Sequence, residues 1–324
     1  MRLIPIILLV ALPAQAEPVV DVAIADHILP GAQRLSAEAE ALTAAARQDC
    51  APESAALRAA YHAAFDAWIG VSHLRFGPAE AEDRAFALAF WPDPRGTTAK
   101  TLTRLLAAED AAVESADAFA RQSVAVRGFY ALERMLYDPP DGDAGYACRL
   151  TQAIATDIAQ TASAMEAGWP AHTALMQTPG PANPVYLDAG EVRRALYTAL
   201  DTGLEFIVAT RLARPLGSLE KPRPKRAEAW RSRRSLKNVA LSLDALRALA
   251  ATLGAGDEAE AAFARAISRA ETLDDPVFAG VSKPIGRVRV EALQQAILDI
   301  RQALATELAP KLGVTAGFNS LDGD

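Results

Sequence analysis

Val124-Ala125-Val126-Arg127-Gly128-Phe129-Tyr130-Ala131-Leu132-Glu133-Arg134-Met135-Leu136 carries the pattern from which the fold is read. Val124, Phe129, Leu132, Met135 and Leu136 recur at three- and four-residue intervals, the spacing of one helix face. Asp138-Pro139-Pro140 ends the run, because proline has no amide hydrogen and its ring clashes with the preceding turn. Gly128 inside such a helix costs about 1 kcal/mol against alanine, so another backbone or a ligand is expected to come close there. Tyr130 and Glu133 are three residues apart and point a phenol and a carboxylate at one volume. Two oxygen donors suit a hard cation, although the same pair also fits the rim of a hydrophobic core with no ligand at all.

The helical period extends along the chain. Alanine dominates a composition that is 51% hydrophobic, and alternating β-branched runs are nearly absent, so the expected class is all-α. Amphipathic segments read as Val20 to Arg47, Glu53 to Leu74, Thr98 to Ala107, Ser115 to Tyr137, Cys148 to Met165, Asp188 to Leu212, Lys225 to Leu253, Asp257 to Thr272 and Arg287 to Leu308. Turn residues separate them at Phe90 to Gly96, which contains Trp91-Pro92-Asp93-Pro94, and at Asp138 to Gly145, Thr178 to Pro184 and Leu216 to Pro224. A chain of this length exceeds one helical core, so two packed bundles are expected, over residues 17–180 and 185–324, with Thr178 to Pro184 as connector. A short internal echo, Leu132-Glu133 and Leu204-Glu205, agrees with two halves.

The first sixteen residues have a basic residue, Arg2, an apolar stretch and the sequence Ala14-Gln15-Ala16, the layout of a secretory signal cleaved near Ala16. No later apolar run reaches the ~18 to 20 residues that span a bilayer, so the expectation is a soluble periplasmic protein. Removing Arg2 from the 33 basic residues leaves 32 against 40 acidic ones, a balance that opposes nucleic-acid binding. Cys50 and Cys148 are the two cysteines, and in an oxidising compartment an even pair is read most simply as a disulfide. Asp141-Gly142-Asp143 and Asp322-Gly323-Asp324 lack the spaced ligands and final glutamate of a calcium loop and read as turns. Phe318 is expected to anchor the tail.

Residues Gly128 to Glu133 resemble the Gly-x-His-x-x-Glu signature of imelysin-like bacterial envelope proteins, with Tyr130 at the histidine position. Further segments similar to that family are His73-Leu74-Arg75-Phe76-Gly77-Pro78, Phe90-Trp91-Pro92-Asp93, Gly203-Leu204-Glu205-Phe206, Arg211 to Gly217, Trp230-Arg231-Ser232 and Gly317 to Asp324. The resemblance implies two helical bundles related by internal duplication, and an exported protein associated with iron acquisition and historically labelled a peptidase. The residues oppose the peptidase label. The four histidines, His27, His62, His73 and His172, form no HExxH, and no GxSxG elbow is present.

Tyr130 and Glu133 are the candidate metal ligands, with iron as the candidate ion, since Fe(III) favours oxygen donors. His73, Arg75, Asp93, Gly128 and Glu205 are candidate ligand-binding residues from family-like segments. For His73 the alternative is capping of helix carbonyls, and for Asp93 stabilisation of its own turn. Arg211 to Lys237 holds ten basic residues against two acidic ones, and within it Arg231 and Arg234 could form one clamp for an anion. The expected activity is non-covalent capture of a metal ion or small anionic ligand beside the Tyr130 helix, in partnership with envelope iron-uptake proteins. A hydrolase and a non-catalytic interaction scaffold are the alternatives.

Overall fold

The computed structural model describes residues 18–314. The signal segment and the Phe318 anchor therefore lie outside the described residues. Among those described there are helices and no strands. α1 (Pro18–Ala23) runs through a π-helical stretch, Ile24–Ile28, into α2 (Leu29–Gln48). α3 (Ala55–Val71) follows, started by Ser54, whose hydroxyl accepts the Leu57 amide. Then come α4 (Arg84–Leu88), α5 (Thr97–Ala108), α6 (Ala116–Ala120), α7 (Gly128–Tyr137) and α8 (Ala144–Gln177). α9 (Ala189–Phe206) passes through a second π-helical stretch, Ile207–Leu212, into α10 (Ala213–Leu216). α11 (Ser235–Thr252), α12 (Asp257–Leu273) and α13 (Pro284–Lys311) complete the chain.

α2 packs on α3 and α8, and α7 lies on α8; α12 packs between α11 and α13, which both touch α9. α3 meets α11 across these two groups, and one continuous apolar core runs from Val20 to Leu312. No helix among the described residues is long and apolar enough to cross a membrane.

Three segments depart from their sequence patterns, each for a local reason. The expected helix Ser115 to Tyr137 is divided into α6, a 3-10 turn at Val124–Val126 and α7. Ser115 and Ser123 cap the amides of Ala118 and Ala125, so each piece starts anew. Conversely, α8 runs twelve residues past the expected end at Met165 and carries Pro170 in its interior. Trp169, Thr173 and Met176 keep burying its face, and that packing outweighs the ~3 kcal/mol a proline costs. Residues 225–234 do not join α11, because Ala229 and Arg233 adopt positive φ (45° and 59°).

Gly128 opens α7 rather than interrupting it. Its φ is +71°, and a Cβ there would lie 2.3 Å from the carbonyl oxygens of both Ala87 and Leu88. The expected close approach is thus the C-terminal end of α4. Cys50 and Cys148 form a disulfide with Cα atoms 5.2 Å apart, fastening the α2–α3 loop to the second turn of α8.

Two stability measurements test these constraints. Gly128→Ala should lower the unfolding free energy by at least ~2 kcal/mol, since alanine meets both the left-handed conformation and the α4 carbonyls. Opening the 98-residue loop by replacing both cysteines with serine should cost up to about 4–5 kcal/mol in urea unfolding.

Candidate functional site

A cavity of about 610 Å³ opens between α3, the 84–91 segment, α7, α9 and α11. Trp68, Phe86, Trp91, Phe206 and Leu246 give it apolar walls, while His73, Arg75, Glu80, Tyr130, Glu205, Arg211 and Glu228 bring polar groups. The Trp91 ring lies 6.2 Å from the Tyr130 ring and 6.0 Å from Phe206, so three aromatic side chains form one wall.

Glu228, only 1% exposed, organises the polar floor. Arg211 donates from Nε to Glu228 Oε2 at 2.7 Å and from Nη2 to Oε1 at 3.3 Å. Asn238 donates to Oε2 at 3.0 Å, and the Tyr130 hydroxyl donates to Oε1 at 2.5 Å. Arg211 Nη1 also donates to Ser242 Oγ at 2.6 Å. A buried carboxylate is tolerable only with such partners, and here a guanidinium, an amide and a phenol converge on it. Burial, followed by the negative charge of Glu228, raises the Tyr130 pKa well above 10, so the side chain is a phenol and a hydrogen-bond donor.

The π-helical stretch after α9 supplies Arg211. Its wider turns shift the phase of the side chains, so that Ala209, Thr210 and Arg211 all line the cavity beside Gly203, Glu205 and Phe206. Gly203 lets α9 approach closely, since a Cβ there would stand 2.7 Å from Leu246 and 3.0 Å from His73 Cβ. The other π-helical stretch supplies His27, whose Nε2 lies 2.8 Å from Nε2 of His73. One ring must donate and the other accept, which requires opposite tautomers at Nε2. Burial lowers the His27 pKa to about 4, and burial, His27 and Arg211 together hold His73 well below 6.5.

The proposed ligands separate in space. Tyr130 reaches the cavity, but Glu133 turns away from it and accepts from the Ser232 amide (2.9 Å) and hydroxyl (2.8 Å). Burial raises the Glu133 pKa against these hydrogen bonds. The expected pair of oxygens therefore does not form one cation site: each is saturated by a different residue of the 228–232 segment. Among the described residues, no three His, Cys, Asp or Glu side chains gather as metal ligands. The residues present do not fit a bare ferric ion held by Tyr130 and Glu133.

His73, Arg75 and Glu205 do line the cavity. Arg75 sits at its rim, 3.6 Å from Glu80, and Glu205 accepts from Arg301 at 3.3 Å. Asp93 instead accepts the Thr97 and Thr98 amides at 2.9 and 2.8 Å and caps α5, the turn-stabilising role. Burial opposes its ionisation, but those amides outweigh the effect and lower its pKa.

Arg231 and Arg234 do not make one anion clamp. Arg231 donates to Asp138 at 2.7 Å, while Arg234, 1% exposed, engages Asp66 and His62 and stacks 4.7 Å over Phe65. Helical spacing had placed the two on one face, but the left-handed Arg233 between them sends them apart. Glu228, Asn238, Ser242 and His27 were missed as site residues. The one signal available for Glu228 was its place as one of two acids within the basic 211–237 segment.

A family model described as imelysin, Peptidase_M75, matches residues 28–304. Among solved structures, an imelysin-like protein from Psychrobacter arcticum 273-4 is 20% identical with a TM-score of 0.77, the match covering 92% of this chain and 96% of that one. A putative iron-regulated protein A precursor from Parabacteroides distasonis ATCC 8503 is 14% identical with a TM-score of 0.72, covering 89% of this chain and 92% of that one. Among curated protein sequences, none matches.

Two outcomes test the site's energetics. Glu228→Ala should destabilise the protein by about 3–5 kcal/mol by leaving Arg211 buried without its counter-charge, whereas pairing it with Arg211→Met should recover part of the loss in a double-mutant cycle. Folded His27 titrates near pH 4, against 6.5 for the unperturbed ring, so the unfolded chain binds more protons between those values. Stability should fall as pH drops below 6.5, by roughly 3 kcal/mol from His27 once pH 4 is reached. His27→Gln should flatten that slope in urea titrations. The match over residues 28–304 spans most of the sequence, and by it this chain belongs to the imelysin family.

Proposed function

We propose that this protein captures a small anionic ligand, of which a ferric chelate is the leading member, in the cavity beside α7, without covalent chemistry. The observation that carries this reading is the cavity itself. About 610 Å³ is within the range of small-molecule sites, and aromatic walls with a few convergent polar groups are their usual lining. Capture of a chelate, rather than of a naked ion, accords with donors that are already committed to protein partners. The role of the cavity residues is to bind and orient: Trp91 and Phe206 cover an apolar part of the ligand, Arg75 meets a carboxylate at the rim, and Glu228 holds Arg211 and Tyr130 in place. That the Parabacteroides neighbour is an iron-regulated protein A precursor by description supports a place in iron uptake or handling. The Ala14-Gln15-Ala16 segment supports export to the periplasm, alongside envelope iron-uptake proteins.

Calorimetric titration with ferric citrate, and with citrate alone, tests the reading. Saturable binding of ferric citrate is expected. It should vanish in Ala209→Trp, which fills the cavity from an exposed position, and weaken several-fold in Tyr130→Phe. Glu133→Gln should leave affinity unchanged while lowering stability, because Glu133 faces Ser232. Equal affinity of the wild type and Ala209→Trp would overturn the proposal.

A further inference from the structure

A second cavity, of about 410 Å³, lies beside the first and shares Arg75 and Thr202 with it. Both follow one face of α9. Arg194, Ala195, Thr198, Ala199 and Thr202 line the outer cavity, and Thr202, Gly203, Glu205 and Phe206 continue into the inner one. These residues recur at three- and four-residue spacing, so they make a single track. Phe206 lies twelve positions after Arg194, roughly 18 Å along the helix axis.

The two ends differ in chemistry. The inner end has the tryptophans and the saturated Glu228 floor. In the outer end the cations are Arg75 and Arg194. Arg75 is only loosely held, 3.6 Å from Glu80, with 47% of its side chain exposed. Arg194 is exposed and pairs with no carboxylate among the described residues. The single carboxylate lining this end, Glu191, is committed to the Leu187 amide at 2.6 Å as part of the helix start. Phe76 and Tyr186 form a fixed wall: Phe76 packs edge-on against Trp169, with centroids 5.5 Å apart, and the Tyr186 hydroxyl lies 2.9 Å from His172 Nε2. Three of the exposed large apolar side chains, Phe86, Val185 and Phe206, line these two cavities, which gives the track an apolar rim.

We infer that the two cavities are one elongated binding groove, and that its outer end is a carboxylate subsite formed by Arg75 and Arg194 for ligands whose aromatic or apolar body lies in the inner cavity. This rests on the proposal that the inner cavity binds a ligand, and it adds the shape and charge of that ligand. Arg75 stands at the junction, and release from Glu80 frees its guanidinium to meet the carboxylate. Arg194, one turn before Thr198 on the same face, supplies the second positive charge.

A pair of probes tests it: 6-(2-naphthyloxy)hexanoate and its primary amide, titrated by quenching of tryptophan fluorescence from Trp68 and Trp91. The carboxylate should bind about tenfold more tightly than the amide at low ionic strength, and the difference should shrink in high salt. Arg75→Ala and Arg194→Ala should each weaken the carboxylate roughly three- to tenfold and leave the amide unchanged. Both positions are exposed, so the variants should fold. Equal binding of the two probes, or equal losses for both in the arginine variants, overturns the carboxylate subsite while leaving the inner cavity standing. Failure of both probes to bind while ferric citrate still binds saturably overturns the groove alone, and failure of ferric citrate as well overturns the cavity reading on which it rests.

Discussion

Glu228 is the point on which the site depends. Its carboxylate is buried among Arg211 from the π-helical extension of α9, Tyr130 from α7 and Asn238 from α11, so three helical elements meet at one negative charge. Such an arrangement adds little net stability over an apolar core, because the desolvation of both ions offsets most of their attraction. What it supplies is specificity of geometry. Removing any one partner leaves a buried polar group unsatisfied, so α7, α9 and α11 are held in one mutual arrangement. The backbone bends to achieve it: Ala229 and Arg233 take left-handed conformations, and Ser235 Oγ donates to the Glu228 carbonyl at 2.6 Å to hold the turn.

The same economy explains the two π-helical stretches. A regular α-helix through Ile207–Leu212 would rotate Arg211 away from Glu228, and one through Ile24–Ile28 would shift His27 relative to His73. Each wider turn sacrifices regular hydrogen bonding in a helix whose remaining length is well packed. In return, one guanidinium and one imidazole reach the region between the helix groups. The disulfide between Cys50 and Cys148 secures the far end of the first group, at the α2–α3 loop and α8, and so acts on the scaffold rather than on the cavity.

Much of the architecture was legible because helix periodicity is a local property. α3, α5, α12 and α13 lie within a few residues of the segments their apolar spacing predicts, and the all-α class, the cysteine pairing and the family resemblance agree with the structure and its relatives. The site was legible only in part. His73, Arg75, Glu205 and Tyr130 line the cavity, whereas Glu133 and Asp93 serve Ser232 and the start of α5. The failure at Glu133 is instructive. Three-residue spacing puts both residues on one side of α7, but it does not say which neighbouring segment each side chain will meet, and Tyr130 meets Glu228 while Glu133 meets Ser232.

From the sequence alone came the all-α class, most of the helices and the family. These follow from patterns within a few turns of chain or from motifs at fixed spacing. Tertiary structure alone decided which polar groups would be saturated by one another and which would face a cavity. Glu228 lies seventeen positions after Arg211, beyond α10 and the proline-rich turn at 217–224, and Tyr130 lies ninety-eight positions before Glu228. A buried charge takes its partners from whatever the packing of distant helices brings within hydrogen-bond reach, and no local period encodes that choice.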